Sequence, residues 1–149
     1  MFHLVLVAPQ VPPNAGAVGR LALATGSRLH LVRPLGFSLE DREIRKRGLD
    51  YWPRVDLRVW ENFDELRTAE PDGRFWMFST KAERGLWQAE FRDGDFLVFG
   101  PESKGLPEAW IEAAGERALR IPMREEGTRS LNLASCAAIA VYEAWRQCS

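Results

Sequence analysis

The chain has 149 residues, 46% of them hydrophobic, and a formal net charge of −1. It can bury a core without disulfide or metal staples, and one domain over residues 1–149 is expected. No apolar run approaches the roughly 20 residues that span a bilayer, and MFHLVLVAPQ at the N-terminus lacks the basic region of a signal peptide, so a cytoplasmic protein with no membrane partner is expected. Near-neutral charge excludes nucleic-acid binding through a global positive field and requires a local patch instead.

Residues 2–8 (FHLVLVA) predict a buried strand in which His3 is structural. The rigid stretch from Pro9 to Asn14 follows, with Asn14 as helix N-cap, and a helix over residues 15–25 built almost wholly of Ala, Gly, Val and Leu. Such a helix packs closely on more than one side. Its one charged residue, Arg20, must be paired, line a pocket or reach solvent at the helix edge. Residues 28–32 (RLHLV) form a second strand, with His30 again structural.

A polar helix over residues 39–47 carries Arg42, Arg45, Lys46 and Arg47 just before Tyr51 and Trp52. Cations beside aromatic rings suit RNA, the charges for phosphates and the rings for unstacked bases, although a solvated helix face has the same composition. A strand over 57–60, a helix over 63–69, a strand over 74–79 ending in Thr80-Lys81 and an irregular stretch over 85–91 come next.

Residues 96–107 (FLVFGPESKGLP) read as a buried strand feeding a shaped loop, because Gly100 and Gly105 admit unusual backbone angles and Pro101 and Pro107 fix φ. The G-x-x-x-x-G spacing is not a P-loop, since Leu106 and Pro107 stand where Lys and Ser/Thr would reach phosphate and magnesium. After a helix over 107–114, the strand over 118–121 is halted by Pro122, and Ser130-Leu131-Asn132 opens a helix to about residue 147. Two shaped loops facing one helix start make a pocket, at the carboxyl ends of strands where open α/β sheets bind ligands. Cys136 and Cys148 share that helix about 18 Å apart, too far for a disulfide.

Alternating strands and helices imply an α/β fold, a mainly parallel sheet covered on both faces. The last helix is apolar around most of its circumference, so one side needs a further partner. A second copy of the chain, in a homodimer, is the economical answer.

In combination, PPNAGAVGR, FGPESKGLP, IPM and SLNLAS resemble the SPOUT class of RNA methyltransferases. GLDYW and VYEAWRQ extend the similarity over nearly the whole chain. The closer resemblance is to the small TrmL/YibK-like branch, which methylates the ribose 2′-hydroxyl of the tRNA wobble nucleotide, position 34, on cytidine or modified uridine. It implies a homodimer with a C-terminal trefoil knot that binds S-adenosylmethionine and needs no metal. The donor pocket would use the main chain around Phe78, Gly100, Ile121, Met123 and Leu131, with Ser130 beside them. Glu102 would support the loop, Asn132 and Ser130 would hold the catalytic groups, and Arg20 would meet the ribose hydroxyl, as base or as orienting cation. RNA contacts would fall to Arg42, Arg45, Lys46, Arg47 and Tyr51. Ala134-Ser135-Cys136 departs from the Ser-Asn-Ala frequent in close relatives, so no role is carried over there. Action on another RNA, an RNA-binding protein that retains the fold without activity, and a nucleotide-binding protein remain the alternatives.

Overall fold

Short apolar runs become seven parallel strands in the computed structural model, which describes residues 1–39, 51–124 and 130–149. These are β1 (His3–Val7), β2 (Arg28–Val32), β3 (Leu57–Trp60), β4 (Phe75–Phe78), β5 (Arg84–Gly85), β6 (Phe96–Phe99) and β7 (Ala118–Arg120), in the spatial order β3-β2-β1-β6-β4-β7-β5. Among the described residues the α-helices are α1 (Pro12–Thr25), α2 (Phe63–Ala69), α3 (Glu108–Ala114) and α4 (Leu133–Cys148). Fully buried runs such as FLVF and FWMF suit a sheet covered on both sides.

Alternation along each strand sorts the side chains into two layers. Leu4, Leu6, Leu29, Leu31, Trp76, Phe78, Leu97 and Phe99 join Val18 and Ala22 of α1 and Ala137, Ala140 and Val141 of α4 in one core. Val5, Val7, Val32, Phe75, Met77 and Val98 meet Phe63 and Leu66 of α2 with Trp110 and Ile111 of α3 in the other. Small residues let α1 and α4 pack directly on each other, which brings their N-terminal ends together.

Three expectations about boundaries are corrected. Helix α1 begins at Pro12 rather than after Asn14, with Val11 at the N-cap and no side-chain cap. Proline fits this first turn because its missing N–H would find no intrahelical partner there and its φ is already helical. Helix α4 begins at Leu133, capped by Asn132, whose Oδ1 accepts from the Ala134 and Ser135 amides, so Ser130 and Leu131 belong to the loop. Within 85–91 the chain contributes Gly85 to the edge strand β5, a two-residue strand too short for any periodic signal. The basic helix expected over residues 39–47 lies, from residue 40 on, outside the described residues.

His3 and His30 are structural, as the sequence suggests. Trp60 Nε1 donates to His30 Nδ1 (3.0 Å), which leaves the proton of a neutral His30 on Nε2, 2.8 Å from His3 Nδ1. Each imidazole is thus fixed as one tautomer, and protonating an accepting nitrogen breaks the chain. Burial, reinforced by Arg28, lowers His3 from 6.5 to about 4, and burial, reinforced by His3 and Arg28, lowers His30 to about 3. The unfolded chain takes up protons near pH 6.5 and the folded chain only near pH 4 and below, so this stabilisation is complete above pH 6.5 and lost as the pH falls. Urea titrations are expected to show lower stability at about pH 4 than at about pH 7, with the loss reduced in His30→Gln. An equal loss in both proteins would assign the acid sensitivity elsewhere.

Candidate active site

Phe78 is level with Phe99 and Leu119 across neighbouring strands, so β4, β6 and β7 end side by side. Their following loops open a cleft of about 500 Å³, closed on one side by the start of α4. That volume suits a nucleoside-sized ligand. Phe78, Gly100, Ile121, Met123, Ser130, Leu131 and Asn132 all line it, as do Thr80 and Lys81. Distant stretches singled out in the sequence therefore meet in one place.

The 100–106 loop is shaped by two glycines used differently. Gly105 takes φ 70°, a left-handed conformation, and its amide donates to Pro101 O at 2.8 Å. Gly100 has no such angle. It is required because a Cβ there would stand 2.3 Å from Leu106 N and 2.4 Å from Gly105 C, inside the backbone of its own loop. The loop folds back over Gly100 and presents main chain to the cleft.

Glu102 joins this loop to α1. Its two carboxylate oxygens accept from the Gln10 and Val11 amides, each at 2.8 Å, and Asn14 Nδ2 donates to one of them at 3.2 Å. An anion at free amides ahead of a helix is favourable. Asn14 Oδ1 then accepts from Asn132 Nδ2 (3.1 Å), and Asn132 caps α4. Gln10 Oε1 returns the link by accepting from the Ser103 amide (2.9 Å) and hydroxyl (2.8 Å). The three walls are thereby tied by side chains. The partnership of Glu102 matches the structural role expected of it, whereas Gln10 and Ser103 carried no sequence signal, and Asn14 was read only as a cap.

Arg20 does not line the cleft. It stands exposed on α1, with its guanidinium carbon 4.9 Å from the centroid of the Tyr51 ring. Of the alternatives for this residue, solvent at the helix edge is the one realised, with an aromatic face as partner. Arg42, Arg45, Lys46 and Arg47 lie outside the described residues. Lys81 Nζ pairs with Glu108 at 2.7 Å, holding that carboxyl below its ordinary range. Cys136 lines the cleft as a free thiol, pushed up by burial, and is not poised as a nucleophile. Among the described residues, no group of three or more His, Cys, Asp or Glu is placed to hold a metal ion, and no helix is long and apolar enough to cross a membrane.

The cleft thus combines apolar walls from Phe78, Ile121 and Leu131 with the main chain of a glycine-built loop. Such a site suits a nucleoside-sized ligand held by shape and backbone groups, in an open α/β sheet at strand carboxyl ends. The SpoU rRNA Methylase family profile matches residues 1–142, and the chain belongs to this family. Among curated proteins, it is 46% identical over 150 aligned positions to the tRNA (cytidine(34)-2′-O)-methyltransferase of Burkholderia ambifaria, covering 99% of this chain and 96% of that protein. Among solved structures, it is 49% identical, with a TM-score of 0.91, to a chain from work on the 2-OH methylation of C/U34 on tRNA, covering 99% and 95% of the two chains. A more distant likeness, at 22% identity and TM-score 0.84 over 97% of this chain and 57% of the other, is to the SpoU methyltransferase AviRb from Streptomyces viridochromogenes in complex with the cofactor AdoMet, and it bears on the fold alone.

Proposed function

We propose that the protein transfers a methyl group from S-adenosylmethionine to the ribose 2′-hydroxyl of nucleotide 34, cytidine or modified uridine, in tRNA. The observation that carries this reading is the convergence of Phe78, Gly100, Ile121, Met123, Ser130 and Leu131 on one cleft, in a chain of this family whose relatives of equal length bear that activity in their names. The cleft fits the donor: its size, its apolar walls and the side-chain-free surface at Gly100 suit an adenosine held by main chain. When bound, S-adenosylmethionine supplies an electrophilic methyl on a sulfonium that leaves as a neutral thioether.

Phe78, Ile121 and Leu131 would wall the adenosine, and the main chain at Gly100 and Met123 would supply its polar partners. Ser130 and Asn132 hold the loop ahead of α4 against the donor, with Asn132 braced by Asn14. Arg20 orients the ribose hydroxyl and the neighbouring phosphate, so most of the rate comes from alignment. The single domain over residues 1–149 is cytoplasmic, and its C-terminal part is a trefoil knot. Nucleoside mass spectrometry of tRNA incubated with protein and donor is expected to find the methyl on the ribose of nucleotide 34. A methyl on a base, or on ribosomal RNA only, would remove this assignment, and calorimetry showing ATP binding without donor binding would remove the methyltransferase reading itself.

The active form is a homodimer. Ile139, Tyr142 and Trp145 recur every third residue along α4 and remain 40%, 49% and 44% exposed, an apolar strip that a second copy can cover. Light scattering is expected to give twice the 16.9 kDa chain mass. A folded monomer at micromolar concentration would contradict it.

Arg42, Arg45, Lys46 and Arg47, clustered in the sequence, would supply the local positive charge that a chain of net charge −1 needs for RNA, one subunit holding RNA while the other holds donor. An anticodon loop, whose bases can be splayed out, suits such a small patch. Replacing Arg45 and Lys46 by Glu is expected to weaken tRNA binding by roughly tenfold or more at moderate salt and leave donor binding unchanged. Equal loss of both affinities would point to misfolding instead.

A further inference from the structure

An exposed arginine samples many rotamers, and a group that must meet a reacting hydroxyl works in few of them. Arg20 is exposed, yet its guanidinium lies over the ring of Tyr51, 4.9 Å from the centroid. Tyr51 is itself anchored. The Arg54 amide donates to Tyr51 O at 2.9 Å and the Val55 amide to Trp52 O at 3.1 Å, closing a tight turn over Trp52–Arg54. That turn is seated on α1 at Gly19: a Cβ there would stand 2.6 Å from Trp52 Cζ3 and 3.6 Å from Val55 Cγ2. Helix α1 therefore offers a bare backbone to Trp52 and, one residue later, a cation to Tyr51.

We propose that Tyr51 is a positioning residue for Arg20, its ring face confining the guanidinium to the geometry that meets the ribose, with the Gly19–Trp52 seat holding the ring in place. This rests on the reading of Arg20 as the group that meets the ribose. It also gives Tyr51 a task other than the RNA contact expected from the sequence, because the ring face turned to Arg20 is no longer open to a base.

Steady-state kinetics on tRNA test it with Tyr51→Leu, Tyr51→Phe, Gly19→Ala and Arg20→Ala, each checked for folding by donor binding. Tyr51→Leu is expected to lower kcat about three- to fivefold with the KM for tRNA within about twofold, the size of a lost cation–π contact at an exposed arginine. Tyr51→Phe, which keeps the ring face, restores kcat to within about twofold. Gly19→Ala, which must displace Trp52, lowers kcat like Tyr51→Leu. Adding Tyr51→Leu to Arg20→Ala costs nothing further. A raised KM for tRNA at unchanged kcat, a Tyr51→Phe as impaired as Tyr51→Leu, or additive losses in the double variant would each overturn the positioning role while leaving Arg20 in place. Full turnover by Arg20→Ala would overturn both.

Discussion

Arg20→Ala is expected to lower methyl transfer by roughly 10²- to 10⁴-fold while donor affinity stays within about twofold, the range spanned when a positioned polar group is removed from a reacting hydroxyl. The separation follows from where the side chain stands. Arg20 is outside the cleft lining and contacts Tyr51 instead, so its loss leaves the cleft walls intact and, in the proposed role, acts on the ribose side alone. Arg20→Lys is not a rescue, since an ammonium lacks the planar fork that can meet hydroxyl and phosphate together. Single-turnover rates with saturating donor, alongside calorimetry of donor binding, separate the two quantities. A variant that keeps most of its turnover, or one that loses donor affinity instead, contradicts the assignment.

Gly100→Val is expected to weaken donor binding by roughly ten- to a hundredfold, the cost of overpacking in a region that cannot relax freely. What a Cβ at this position meets is backbone, Leu106 N at 2.3 Å and Gly105 C at 2.4 Å, and not the end of a side chain that could swing away. The loop must open, and the main chain it presents to the cleft is then misplaced. Gly100→Ala is expected to show much of the same loss, because the first carbon already makes the clash. The sheet and the apolar packing of α1 and α4 are built from residues outside this loop, so thermal unfolding stays cooperative. Unchanged donor affinity in a folded Gly100→Val protein would place the donor elsewhere.

The order of strands and helices was legible because the apolar runs are short, bounded by Gly and Pro, and buried on both faces. The cleft was legible for a related reason: a strand stopped by Gly-Pro or by Pro must turn at the sheet edge, and parallel strands place all such turns at the same end. What joins the turns was not legible. Glu102 reaches the Gln10 and Val11 amides across about ninety residues, and no local pattern distinguishes a glutamate with that partner from one in water. Asn14 looked like a cap, and Pro12 and Pro13 pre-empted it by starting the helix earlier. Asn132 looked like a helical residue and is the cap. Gly100 was singled out for backbone freedom, and its constraint is space instead. Each misreading traces to a contact that only the tertiary fold creates.

The strand pairings have a consequence for how the protein is made. His3 in β1 is in register with Phe96 in β6, so two neighbouring strands near the middle of the sheet come from segments about ninety residues apart in the chain. Residues emerge from the ribosome at about 5 to 20 per second, and β1 can pair only with β2 until β6 appears several seconds later. The cleft is later still, because α4 and its Asn132 cap close it and pack on α1. High contact order makes such folding slow and leaves an unpaired strand edge exposed in the meantime. A nascent chain arrested before α4 would hold most of a sheet and an unfinished cleft, which is closed only once the residues from Ser130 onward have left the tunnel.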